Sequence, residues 1–161
     1  RAWFNRNIWP RLVRGAVGGG EARTPFTSCR NALGTGVDGA ALYCTGSADV
    51  VTHIELTTPN VNLLRGYLPT LLGQMTALIE LIVTDQKDLG GTLPTELANC
   101  KQLVNIDVHE NNIGGTLPSS WTALTRLTQL RVDGNKLAGG VVPPLTVNGR
   151  CHLLRPRLNE A

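Results

Sequence analysis

Residues 103–121 read LVNIDVHENNIGGTLPSSW, and residues 127–145 read LTQLRVDGNKLAGGVVPPL. Laid over one another, both begin L-x-x-[IL]-x-V-x-x-N-x-[IL], with Asn111 and Asn135 one 24-residue period apart. The pentapeptide GGTLP falls at the same interval, at 90–94 and 114–118. Upstream, residues 78–97 (LIELIVTDQKDLGGTLPTEL) are the same unit with one extra residue between Val83 and Leu89. Residues 51–72 (VTHIELTTPNVNLLRGYLPTLL) form a fourth copy, with three extra residues between Leu56 and Leu64. Four units at a nearly fixed period make an array in which each unit buries its apolar face against the next.

The segment x-L-x-L-x alternates apolar and polar residues, so each unit contributes a short strand with one face buried. Stacked units make a parallel sheet. The asparagine after the strand hydrogen-bonds backbone groups in a turn where no sheet partner exists, and Asn111 and Asn135 fit that role. Gln86 stands near this position in the second unit, and Pro59 and Asn60 in the first, so the asparagine ladder is expected to be imperfect there. Gly66, Gly91, Gly115 and Gly139 permit a turn that a Cβ would hinder. Pro69, Pro94 and Pro118 end strand pairing and open a turn or short helix on the opposite, convex side. Trp121 replaces Leu97 and is expected to pack inward. Cys100, in LANC, is expected to be a small buried apolar residue.

This is the leucine-rich-repeat pattern. Over roughly residues 50–145 the chain resembles the plant-type repeats of 24 residues, which occur in receptor-kinase ectodomains, receptor-like proteins and polygalacturonase inhibitors. The stretch GTLPSSWTALTRLTQLRVDGNKLAG is more similar in style to the surface-antigen leucine-rich repeats of kinetoplastid parasites. The resemblance implies an α/β solenoid, a horseshoe fragment with a short parallel sheet on its concave face and turns or short helices on its convex face. It also implies a cysteine-stapled cap before the first repeat, for which Cys29 and Cys44 are the candidates. Residues 29–44 (CRNALGTGVDGAALYC) contain the Gly36–Val37 pair of such caps but lack their tryptophan and have a longer spacing. A disulfide there would contribute about 3 kcal/mol; two free thiols are the alternative. Cys151 has no convincing partner.

The expected organisation is a basic extension over 1–27, a cap over 28–50, the repeats over 51–148 and a C-terminal cap or tail over 149–161. Charge follows these divisions. Six arginines face Glu21, Asp38 and Asp49 in residues 1–50, while residues 51–148 hold six basic and eight acidic side chains. A net charge of +3 is too small to argue for nucleic acid. The sequence has no run of 18 apolar residues that would make a membrane-spanning helix. Membrane contact is expected only through parts outside this chain. GTGVDG at 34–39 matches G-x-G-x-x-G but lacks the preceding strand and following helix of a dinucleotide site. No metal site, catalytic residue or cofactor is expected. His53 with Glu55, and Asp107 with His109, share strand faces but have no third ligand on their own strands.

The polar strand positions should form one ribbon across the concave side. The first strand presents His53, Glu55 and Thr57 (with Thr58), the second Glu80, Ile82, Thr84 and Asp85. The third presents Asn105, Asp107, His109 and Glu110, and the fourth Gln129, Arg131 and Asp133, followed by Gly134. With adjacent strands about 4.8 Å apart, Glu55, Ile82, Asp107 and Arg131 should make one row. Six acids face one arginine in this ribbon, although the whole chain is positive. The expected function is therefore non-enzymatic recognition of a protein or peptide with basic residues, at a cell surface or outside the cell. The alternatives are a structural or antigenic coat module without a dedicated ligand, and a receptor-kinase ectodomain or hydrolase-inhibitor fragment.

Overall fold

The computed structural model describes residues 40–45, 50–57, 64 and 66–143. The extension at 1–27, the tail at 149–161, Thr58 and the candidate Cys29–Cys44 staple lie outside what is described. Nine strands follow in chain order: β1 (Ala40–Thr45), β2 (Val50–Thr57), β3 (Gly66–Tyr67), β4 (Glu80–Thr84), β5 (Leu89–Gly90), β6 (Asn105–Asp107), β7 (Gly114–Leu117), β8 (Gln129–Arg131) and β9 (Lys136–Gly140). β2, β4, β6 and β8, one from each repeat, form a parallel sheet in the order β2-β4-β6-β8. The strand β1 adds antiparallel to β2 and covers the edge of the first repeat.

The sequence period becomes columns of buried side chains. Along the main sheet the inward residues are Ile54 and Leu56, Leu81 and Val83, Ile106 and Val108, then Leu130 and Val132. The same stacking holds outside the sheet. Leu64, Leu89, Ile113 and Leu137 form one column, and Leu68, Leu93 and Leu117 the next. Leu72, Leu97 and Trp121 form a third, while Met75, Cys100 and Leu124 form a fourth. Cys100 therefore occupies a slot filled elsewhere by Met or Leu, and its Sγ lies 3.3 Å from the Leu72 carbonyl oxygen. Trp121 fills its slot completely, and its Nε1–H donates to the Pro94 carbonyl at 3.1 Å.

The GGTLP segments do more than turn the chain. They pair with their counterparts in a second parallel ladder, β3 with β5 and β7 with β9, linked by a Thr92–Gly114 bridge. Gly66, Gly91, Gly115 and Gly139 all have positive φ, from +70° to +116°. At Gly91 a second constraint applies, because an added Cβ would lie 2.7 Å from the Tyr67 Cβ of the preceding repeat. After each ladder strand a proline in extended conformation (Pro69, Pro94, Pro118) opens a short 3-10 helix, at Thr70–Gln74, Thr95–Asn99 and Ser119–Ala123. These form the convex layer.

Candidate functional site

The register of the main sheet brings the expected ribbon together. Glu55 pairs with Ile82, Ile82 with Asp107 and Asp107 with Arg131. A second row runs His53, Glu80, Asn105, Gln129 in the same way. A third begins with Thr57 opposite Thr84. Strand alternation explains this directly: the partners of these residues on the other face are the apolar columns, so the polar set must face outward.

Several residues of the ribbon have different places from those expected. Thr84 is 2% exposed and Asp107 9%, so neither offers much surface to a partner. Thr84 is a short side chain beside Thr57, and its carbonyl is bonded by Gln86 Nε2 at 2.9 Å. Asp107 is covered because it is bound by its neighbours. Its Oδ1 lies 2.6 Å from His109 Nδ1 and its Oδ2 lies 3.8 Å from Arg131. Asp85 and Glu110 are not strand residues. They adopt left-handed backbone, with φ of 61° and 55°, one repeat apart in the turn that follows the strand. Gly134, with φ of 67°, holds the equivalent place in the next repeat. Asp and Gly are the residues that enter this conformation most readily, whereas Glu110 bears its cost. Its backbone N–H is held by the Asp133 carbonyl at 2.9 Å.

The charges are also partly matched within the molecule. Arg131 donates from Nε to Asp133 Oδ1 at 3.1 Å and stands beside Asp107. Lys87 reaches Glu110 at 2.5 Å, bringing a cation to the rim that the strand pattern alone had not counted. His53 Nε2 lies 3.8 Å from Glu80. Asp107, Asp133 and Glu110 are thus tied to Arg131, His109 and Lys87, and Glu80 on β4 faces His53 on β2. Among the described residues no group of three or more His, Cys, Asp and Glu side chains is placed to hold a metal ion.

Beneath this face runs the side-chain ladder. Asn111 Nδ2 donates to the carbonyls of Val83 and Val108, both at 2.7 Å, and its Oδ1 accepts from Gln86 N at 2.9 Å. Asn135 does the same one repeat on, bonding Val108 and Val132 carbonyls and Ile113 N. The expected break at Gln86 is absent. Gln86 is fully buried; its Oε1 accepts from Leu64 N at 2.9 Å and its Nε2 donates to the Thr84 carbonyl. The amide group is what the turn requires, and one extra methylene carries it far enough to span the longer loop of that repeat.

Repeating strands, a second ladder at the glycines and an amide ladder between them define a leucine-rich-repeat solenoid. Comparison with known proteins agrees on the fold. A plant ice-binding protein is similar, with 27% identity over 64% of this chain and 32% of that one, at a TM-score of 0.55. The BIR3–SERK2 complex from Arabidopsis thaliana has 21% identity over 80% of this chain and 61% of that one, with a TM-score of 0.54. The ectodomain of the receptor kinase GASSHO1/SCHENGEN3, also from Arabidopsis thaliana and solved with CASPARIAN STRIP INTEGRITY FACTOR 2, is 36% identical over 45% of this chain, 9% of that one, at a TM-score of 0.44. The chain spans less than two thirds of the length of each. No protein-family model matches the chain, and no curated protein matches it.

Proposed function

We propose that this solenoid is a recognition module whose concave face binds a protein or peptide carrying basic groups. The observation that carries the reading is the reversal of charge on that face. Lys and Arg outnumber Asp and Glu by 15 to 12 in the chain, yet the ribbon holds Glu55, Glu80, Asp85, Asp107, Glu110 and Asp133 against Arg131. Asp107 and Asp133 are engaged by Arg131, and Glu55 and Glu80 stand on the neighbouring strands β2 and β4. There Ile82, half-buried between Glu55 and Asp107, offers an apolar rest for the stem of a lysine or arginine. Such complementarity sets partner choice and encounter rate more than affinity. The LPSSW style of the third repeat supports a place among surface-displayed repeat proteins, and with it an extracellular or cell-surface location.

Selection of a random-peptide display library on the immobilised chain tests this. Peptides enriched in Lys and Arg are expected, and a Glu55→Lys/Glu80→Lys variant should fail to retain them. Enrichment without a basic bias, or equal retention by the variant, refutes the reading.

A further inference from the structure

Among the described residues the ring of His109 is held at one nitrogen, Nδ1. Its Nδ1 lies 2.6 Å from Asp107 Oδ1, and the same oxygen accepts the His109 backbone N–H at 3.2 Å. A carboxylate only accepts hydrogen bonds, so the proton of this contact resides on Nδ1. The hydrogen bond at one ring nitrogen decides what the other presents. In a neutral ring, Nε2 then carries a lone pair and no proton. Among the described residues the ring makes no hydrogen bond through Nε2. Asp107 is itself kept in place. It is 9% exposed, and Arg131, which donates to Asp133, stands 3.8 Å from its other oxygen.

We infer that Asp107 is a positioning residue for recognition: it holds His109 in the Nδ1–H form, so that Nε2 accepts a hydrogen bond from an N–H donor of the bound partner. The inference rests on the concave face being the binding surface, and it adds a residue and a chemistry to that reading. A donor here is what a basic partner supplies, since lysine and arginine carry only donors. It also explains why an acid stands in the central row without facing solvent. Glu55 and Glu80 draw the partner by charge, whereas Asp107 acts through the histidine. At the equivalent position of the neighbouring repeats stand Thr84 and Asp133, so this acceptor belongs to the third repeat alone.

Long-range proton–nitrogen spectra of the imidazoles in the 15N-labelled full chain test this, free and with hexalysine added. The free chain should show His109 as the Nδ1–H tautomer, with the Nε2 resonance moving as hexalysine saturates. Asn at 107 offers an N–H as well as an oxygen, so Asp107→Asn should lose the single Nδ1–H tautomer and bind hexalysine about fivefold more weakly. The Nε2–H tautomer in the free wild type overturns the inference without any variant having to fold. Amide shifts at Glu55 and Glu80 with His109 Nε2 unmoved overturn the partner contact but leave the concave-face reading standing. No shift anywhere on the concave strands overturns that reading and the partner contact with it, while the tautomer still decides the role of Asp107.

Discussion

Asn111 satisfies three backbone groups at once, two carbonyls and one N–H, in a turn that no strand covers. Replacing it with Ala leaves those groups buried and unpaired. At about 1 kcal/mol or more for each, Asn111→Ala should lower stability by about 3 kcal/mol in urea unfolding. A loss below about 0.5 kcal/mol would mean the ladder contributes nothing net. Cys100 gives a second prediction at this scale. Burial pushes its thiol from 9.0 up to about 11, with Lys101 pulling slightly the other way. The folded pKa is raised, so the native chain keeps its proton where the unfolded chain gives it up. This contribution to stability is whole below pH 9 and is lost as pH rises from 9 toward 11. At pH 8 about one thiol in a thousand is ionised, so Cys100 should resist iodoacetamide in the folded chain and react on unfolding. Rapid labelling of the native protein at that pH would contradict the burial.

Trp121 shows what a convex segment needs. The 3-10 helix Ser119–Ala123 is too short to be stable alone, and its N-cap has no side-chain hydrogen bond. It is held by packing: a fully buried indole in the column of Leu72 and Leu97, tied by its N–H to the proline that opens the preceding helix. Trp121→Ala should therefore cost about 3–5 kcal/mol. Trp121→Phe keeps most of the ring but leaves the Pro94 carbonyl unbonded, and should cost about 1–2 kcal/mol. Thermal or chemical denaturation of the two variants separates the contributions, and equal losses would show that the hydrogen bond, not the ring volume, holds the segment. The GGTLP strands are a similar case. Two-residue strands such as Gly66–Tyr67 persist because each pairs with its copy in the next repeat.

For the whole molecule, a chain of net charge +3 carries repeats whose inner face is mostly negative. Glu55→Lys/Glu80→Lys should change partner binding in two ways: weaker association, and a smaller dependence on salt, because the long-range part of the attraction is screened over about 10 Å at 0.1 M. Binding of a selected basic peptide at two ionic strengths measures both. Stability should stay within about 0.5 kcal/mol, since half-exposed strand positions tolerate such changes. Charge reversal at Asp107 would be a poorer probe. That carboxylate is engaged with His109 and Arg131, so Asp107→Lys would disturb the fold and the face together.

The sequence by itself determined the architecture. A 24-residue period of leucines, asparagines, glycines and prolines needs no knowledge of distant neighbours, because every unit repeats the same local instruction. The cross-strand rows also followed from it, and Glu55, Ile82, Asp107 and Arg131 stand in the register the alignment implied. Which of these side chains remain available was decided only by tertiary structure. Thr84 and Asp107 are polar outward positions in the alternation yet are covered, and Arg131 is spent between two aspartates. Gln86 joins the amide ladder although its letter breaks the motif. The physical reason is the same in each case. Neighbours on the concave face come from the repeats before and after, some 24 residues away, and their side chains differ from unit to unit while the backbone does not.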